Sequence, residues 1–153
     1  MTTLITLHSV LRWILLIVLF VAIYRAFTGG QTKRAFDNTD QKTGLLLTIT
    51  ADLQLLLGLV LYVMGALGLK NIQNQGMAAV MKDSYARFFA VEHISMMLIA
   101  IVLLHIGRAK SKKAASDEAK HKLSFRFYLI ALILILVSIP WPFRAAFAHL
   151  GWI

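Results

Sequence analysis

Apolar residues occur in four long runs along the chain, separated by polar connections. The runs cover roughly 4–27, 44–67, 88–106 and 127–147. Each run is long enough to cross a bilayer, because a membrane-spanning helix needs about 20 residues at a rise of about 1.5 Å per residue. The pattern predicts an all-α fold, a membrane-embedded four-helix bundle that forms one transmembrane domain over residues 1–153.

Local signals in the connections predict where the helices end. Gly29 and Gly30 are expected to stop the first helix, because glycine commonly ends helices. The second connection is long enough for a short helix on the membrane surface. Such a helix would turn the apolar side chains of Met77, Val80 and Met81 toward lipid.

The last helix has recognisable signals at both ends. The sequence Ser116-Asp117-Glu118 is typical of a helix start and predicts either a short helix or an extension of the fourth one. Pro140 and Pro142 remove two backbone donors and are expected to break the helix. The break falls at the depth of His8 and His93, so freed carbonyl groups would line a pocket there.

Composition supports a membrane protein and excludes several classes of site. The chain is 59% hydrophobic and has a mean hydropathy of +0.73. It contains no cysteine, which excludes disulfides, thiolate metal sites and thiol nucleophiles. The net charge is +9, but the chain contains no nucleic-acid-binding motif. The expected partner is therefore the lipid bilayer, and binding to nucleic acid is not expected.

The basic residues are distributed unevenly among the connections. Counted with the residues that flank it, the first connection (25–42) carries four, the third (108–126) carries seven and the second (68–87) only three. Because cytoplasmic loops are enriched in lysine and arginine, both termini and the second connection are expected on the outer, periplasmic side. The expected location is the bacterial inner (cytoplasmic) membrane.

Two histidines are expected at the same depth on different helices. Helix rise places His8 and His93 roughly 6–8 Å below the outer ends of the first and third runs. Imidazoles in this arrangement can bind a haem iron from both sides. Met96, Met97 and Ala100 follow His93 on one face, with Ala100 leaving room for a flat ring. The alternative is that both histidines merely hydrogen-bond a neighbouring helix or a lipid head group.

Arg12 lies one turn below His8 on the same helical face. A charge in hydrocarbon needs a partner, and Glu92 is the first candidate, with Asp52 a poorer match in depth. One interpretation is structural: an internal ion pair that fixes the register of two helices. The other is functional: Arg12 holds a haem propionate or a quinone oxygen.

Other polar positions are interpreted structurally. His105 and Arg108, one turn apart at the inner boundary, are expected to reach toward anionic lipid. His105 is the sole embedded histidine at that level, which argues against a second bis-histidine haem. His121 is expected in a solvated loop and His149 near the end of the chain, neither with a role. The second helix carries a small and polar stripe that reads as a packing face: Gln54, Gly58 and Gly65.

Four stretches resemble a family of small four-helix bacterial membrane proteins labelled cytochrome-b-like. They are LHSVLRW (7–13), MKDSYARFFAVEH (81–93), HIGRAKSKKA (105–114) and FYLIALILILVSIPWPF (127–143). The resemblance implies haem b, electron transfer, and His8 and His93 as ligands. The chain departs from large cytochromes b in lacking their second histidine pair.

Three functions follow as alternatives. The first is a membrane b-type haem protein that passes electrons between membrane quinol and an outer-side partner, with haem b and quinone as cofactors. The second is a non-catalytic accessory subunit that packs in a larger respiratory or other membrane complex. The third is a transporter or divalent-metal site formed by His8, Glu92 and His93.

Overall fold

The computed structural model describes residues 1–152, and in this range the chain forms helices and no strands. Four helices are long and apolar enough to cross a membrane, as the four apolar runs predict. They lie in the order α1 (Thr2–Thr32), α2 (Asn38–Met64), α6 (His93–Lys113) and α7 (Asp117–Ser138). The segment between α2 and α6 contains α3 (Leu69–Gln75), α4 (Met77–Lys82) and α5 (Ser84–Arg87).

The four long helices form an antiparallel bundle. Around the ring α1 packs on α2, α2 on α6, α6 on α7 and α7 on α1, so that α1 and α6 lie diagonally across the bundle. The short loops 33–37 and 114–116 share one end, which we call the loop end. The opposite end, the strap end, carries Met1, the segment 65–92 and the strap, residues 139–152.

Small and aliphatic side chains fill the interior. Leu19, Leu47, Leu104 and Ala131, one from each long helix, are completely buried. Large apolar side chains also cover the outward faces, among them Ile17, which is 62% exposed. A helix bundle that is apolar inside and outside is the form of a protein that contacts lipid, since lipid tails replace water around it.

The first helix continues through the two glycines that were expected to stop it. It ends at Thr32, where Lys33 adopts a left-handed conformation (φ 53°) and its N–H bonds to the carbonyl of Gly29. Gly29 is buried against His121, and a Cβ at this position would overlap the imidazole ring. Gly29 therefore permits close packing of two helices and does not act as a terminator.

The connection between α2 and α6 is more helical than expected and differs in which side chains it buries. Met77 and Met81 are exposed as predicted, but Val80 is completely buried against Ala86 and Ala90. The prediction that Val80 faces lipid is therefore wrong: it anchors α4 onto the protein. A π-helical turn (Phe88–Glu92) follows α5 and leads directly into α6.

The ends of α7 follow their sequence signals. Ser116 caps the helix by accepting a hydrogen bond from the N–H of Ala119, which confirms an extension of the fourth helix. The helix stops at Ser138, just before Pro140 and Pro142, so the fourth apolar run is helical only in part. The remainder forms the strap, with a single 3₁₀ turn at Ala145–Phe147.

Candidate functional site

The rings of His8 and His93 meet inside the strap end. Their centroids are 6.4 Å apart and the ring planes are inclined at 69°. The two histidines belong to α1 and to the start of α6, which face each other across the bundle. This diagonal arrangement brings both rings toward the axis of the bundle.

His93 is oriented by a carbonyl group that a proline sets free. Its Nδ1 lies 2.7 Å from the carbonyl oxygen of Ser138. In a continuous α-helix that oxygen would accept from residue 142, but Pro142 has no N–H. Because a carbonyl only accepts, Nδ1 carries the hydrogen, and Nε2 keeps the lone pair of the neutral ring.

The preceding proline acts in the same way. Pro140 leaves the carbonyl of Leu136 without its helical donor, and the indole Nε1 of Trp141 donates to that oxygen at 2.7 Å. The two carbonyl groups that the prolines free are thus occupied by the side chains of His93 and Trp141. The strap is fixed in place by the same bonds.

His8 is held by the amide of Gln54 on α2. The amide nitrogen donates to the carbonyl of His8 at 3.0 Å and lies 3.2 Å from the ring Nε2. Gly58 lies one turn away on α2, and a Cβ there would approach Cε1 of His8 to 3.2 Å. Gln54 and Gly58, which the sequence analysis interpreted as part of a helix-packing face, therefore also contact His8. Their spacing of four residues on α2 is the sequence feature from which this contact could have been predicted.

Unpaired polar atoms concentrate around this pair. Three of the five buried side-chain atoms without a hydrogen-bond partner in residues 1–152 are Nδ1 of His8, Oε1 of Gln54 and Nε of Arg12. Leaving such an atom unpaired costs about 1–3 kcal/mol. In native proteins these groups are explained by a ligand, an ion or water.

Arg12 is bound by the strap and not by a carboxylate. Its Nη2 donates to the carbonyl of Trp152 at 2.6 Å, and the indole of Trp13 donates to the same oxygen at 3.2 Å. Glu92 instead pairs with Arg87, with Nε and Oε1 2.6 Å apart. The predicted contact between Arg12 and Glu92 is therefore wrong: Glu92 pairs with the nearer Arg87, and Arg12 donates to a backbone oxygen.

The second candidate partner of Arg12 also lies elsewhere. Asp52 contacts His105, with Oδ1 and Nε2 2.8 Å apart. His105 was expected to reach toward lipid head groups, but it turns toward α2 instead. These two residues form a separate polar feature on the outer face of the bundle.

Ala100 and Met97 belong to the packing of the bundle. Ala100 is fully buried in the apolar core, and Met97 packs against the edge of that core. Ala100 is in contact with protein, so it does not leave the open space that was expected beside a flat ring.

The separation of the two ring centres is in the range of two histidines that bind one iron, and equally in the range of an ordinary edge-to-face contact between rings. A metal-bound imidazole nitrogen lies about 2 Å from its metal, so an iron between two rings separates their centres by about 6 Å. The observed separation is 6.4 Å. The bond from Nδ1 of His93 to a carbonyl is the support that ligating histidines usually have. On His8 the Gln54 amide lies against Nε2, so ligation through this nitrogen requires the amide to turn away.

A divalent-metal site does not form from these residues. No group of three or more histidine, aspartate or glutamate side chains suited to a metal ion occurs in residues 1–152. The third residue of the predicted site, Glu92, is engaged by Arg87.

A buried histidine at the loop end was missed by sequence reasoning. His121 is completely buried on α7, its Nε2 donates to the carbonyl of Arg34 at 3.1 Å, and Phe36 packs on its ring at 5.0 Å. It was assigned to a solvated loop because the polar start of α7 precedes the apolar run. Gly29, which makes room for the ring, was the available signal. His149, assigned no role, is exposed and lies 3.4 Å from the hydroxyl of Tyr85.

The chain matches no family model, and no curated protein or solved structure is significantly similar to it. The resemblance to cytochrome-b-like proteins therefore stays a prediction.

Proposed function

We propose that the protein is a multi-pass membrane electron carrier in which His8 and His93 bind one haem b. The observation that supports this most directly is the 6.4 Å separation of two half-buried imidazoles from diagonal helices. The carbonyl of Ser138 supports it further by fixing His93 with its Nε2 lone pair available. The absence of a third ligand in residues 1–152 favours a haem, which supplies four nitrogens of its own, over a free metal ion.

The other residues of the site have roles in this proposal. Arg12 has an unpaired Nε, which supports a role in binding a carboxylate such as a haem propionate. Trp13 and the strap cover the site, since the carbonyl of Trp152 bonds to both Arg12 and Trp13. When bound, haem b supplies a one-electron couple whose potential depends on its ligands and burial. Electrons would pass from membrane quinol to a partner on the strap side.

The absorption spectrum of the purified protein tests the proposal. Protein expressed with ample haem supply should show a Soret band that sharpens on reduction, with one haem per chain. His8→Ala and His93→Ala should abolish the low-spin spectrum, and His93→Met should restore a six-coordinate spectrum with shifted bands. His105→Ala and His121→Ala serve as histidine controls that keep it. A folded but colourless wild-type protein would overturn the proposal in favour of an accessory subunit.

We propose further that the loop end faces the cytoplasm of a bacterial inner membrane. The unequal distribution of lysine and arginine supports this orientation. Single cysteines at Lys112 and Gln75, both exposed and at opposite ends of the bundle, test it. Impermeant maleimide applied to intact cells should modify position 75 and spare position 112, and the reverse pattern would contradict the orientation.

A further inference from the structure

Asp52 and His105 form a polar pair on the outward face of the bundle. Asp52 comes from α2 and His105 from α6, and Oδ1 and Nε2 lie 2.8 Å apart. Their side chains are 49% and 46% exposed, respectively. The pair therefore spans the seam between two helices and is open on the side away from the core.

Helix rise places this open pair within the apolar part of the bundle. Asp52 lies eight residues beyond Gly44, at which its apolar run begins, or about 12 Å of helix. His105 lies about 18 Å beyond His93, in the last turn of its apolar run, so the pair lies in the half of the apolar region nearest the loop end. Ionisable residues at such depth almost always face the protein interior or a cavity, and they mark function when they do not have a structural reason.

The chemistry of the pair suggests what reaches it. In residues 1–152 the two side chains make no hydrogen bond beyond the one that joins them, so Oδ2 of Asp52 and Nδ1 of His105 remain for a ligand. A ligand that reaches a site within the apolar region arrives through the lipid, so most of the molecule must be apolar. The exposed side chains around the pair offer such a molecule an aliphatic surface: Ile49, Leu56, Leu98 and Val102.

We propose that the Asp52–His105 seam binds the head group of a lipid-soluble quinol. A quinol hydroxyl would donate to Oδ2 of Asp52 or to Nδ1 of His105, which accepts because Nε2 of the same ring donates to Asp52. The aliphatic side chains on either side would pack on the ring. This deepens the proposed function, because it gives the membrane quinol a site that is separate from the histidine pair.

A second copy of the chain is a poorer occupant of this surface. Helices that associate closely in membranes use small residues at the contact. The exposed residues beside the pair are large aliphatic ones, among them Leu53 at 50% and Leu56 at 59% exposure. A planar head group fits between such side chains more readily than a helix backbone does.

Photolabelling with an azido derivative of decylubiquinol, kept in its reduced form, tests the proposal without requiring haem. The full chain is reconstituted in nanodiscs, illuminated at sub-saturating probe and digested for peptide mapping. The label should appear in peptides covering 45–56 and 98–109. Asp52→Asn and His105→Ala should each lower its yield about tenfold, the effect of losing one hydrogen bond to a charged or polar partner.

Matched variants define the outcomes. Asp83→Asn and His149→Ala change the same residue types at exposed positions of the strap end and should leave the yield unaltered. Unchanged labelling in both seam variants, or labelling confined to the strap end, would overturn the proposal. Disulfide-linked dimers through Leu53→Cys without labelling would overturn it as well and assign the seam to a second copy. A colourless protein that labels at the seam would refute the haem and retain the quinol site.

Discussion

The arginines at the two ends of the first helix are bound differently. At the loop end, Asp40 accepts from Nε of Arg25 at 2.9 Å and from both terminal nitrogens of Arg34 at 2.8 and 2.9 Å. Asp37 caps α2 and contacts the same two arginines. At the strap end, Arg12 has no carboxylate partner in the described residues and bonds only to a backbone oxygen.

In the proposed function, this difference separates a structural end from the end that holds the histidine pair. The hydrogen bonds that Arg34 donates to Asp40 raise the pKa of its guanidinium above the usual value, as expected for a group whose charged form is favoured. The strap end instead contains features that break local rules: two prolines, a π turn and three of the five unpaired buried side-chain atoms in residues 1–152. Proteins retain such exceptions mainly where function requires them.

The largest effect on stability is expected from Asp40→Asn. The side chain of Asp40 is only 4% exposed and holds two arginines together. Removing its charge leaves both guanidinium groups without their main partner, which we expect to destabilise the fold by about 2 kcal/mol, because the arginines are partly solvated. Thermal unfolding in detergent measures this.

The matched control is Asp37→Asn, whose side chain is 47% exposed. Asparagine caps helices as well as aspartate does, so the loss should stay within about 1 kcal/mol. Equal losses for the two variants would show that the loop end does not depend on the buried carboxylate.

A smaller but still clear loss is expected from Gly29→Ala. The new Cβ would overlap the ring of His121, and overpacking of this kind costs about 1–3 kcal/mol. Alanine favours the helix over glycine by about 1 kcal/mol, which offsets part of the loss. Gly30→Ala gains the same propensity and meets only Cβ of His121 at 3.7 Å, so it should be neutral or stabilising. Similar unfolding temperatures for the two variants would contradict the packing argument.

At the strap end we expect changes in the histidine pair with little change in stability. Pro142→Ala restores an N–H that competes with His93 for the carbonyl of Ser138. The ¹⁵N signals of His93 in histidine-labelled protein should shift as its Nδ1 hydrogen bond weakens. Pro140→Ala affects only the carbonyl that Trp141 uses and should leave those signals in place. Shifts of equal size in both variants would show that the strap acts as a whole.

The smallest effect is expected between Arg12 and Glu92. Because each has a different partner, the stability losses of Arg12→Leu and Glu92→Gln should add to within about 0.5 kcal/mol. Arg87→Leu and Glu92→Gln should show coupling of about 0.2–1 kcal/mol, typical of a partly exposed pair. Strong coupling in the first cycle would mean that Arg12 reaches the carboxylate after all.

The sequence predicted the helices and the meeting of His8 and His93 but not the partners of the charged groups. The length of the apolar runs and the helix rise are enough to predict the helices and the matching depth of the two histidines. Arg12 bonds to a backbone carbonyl 140 positions away, and a carbonyl has no residue type by which a sequence can reveal it. His121 was missed because the polar first turns of α7 extend beyond the apolar run that defined the helix.

The π turn at Phe88–Glu92 makes the chain sensitive to deletions at this point. A π turn corresponds to one residue inserted in an α-helix. Arg87 and Glu92 are five positions apart, a spacing that ordinary α-helical geometry places about 140° apart around the axis, yet the wider turn brings them together. Removing one residue, such as Val91, would return the turn to α-helix and rotate everything before it by about 100° relative to His93. Length variation between 65 and 92 is therefore expected before the π turn and not within it.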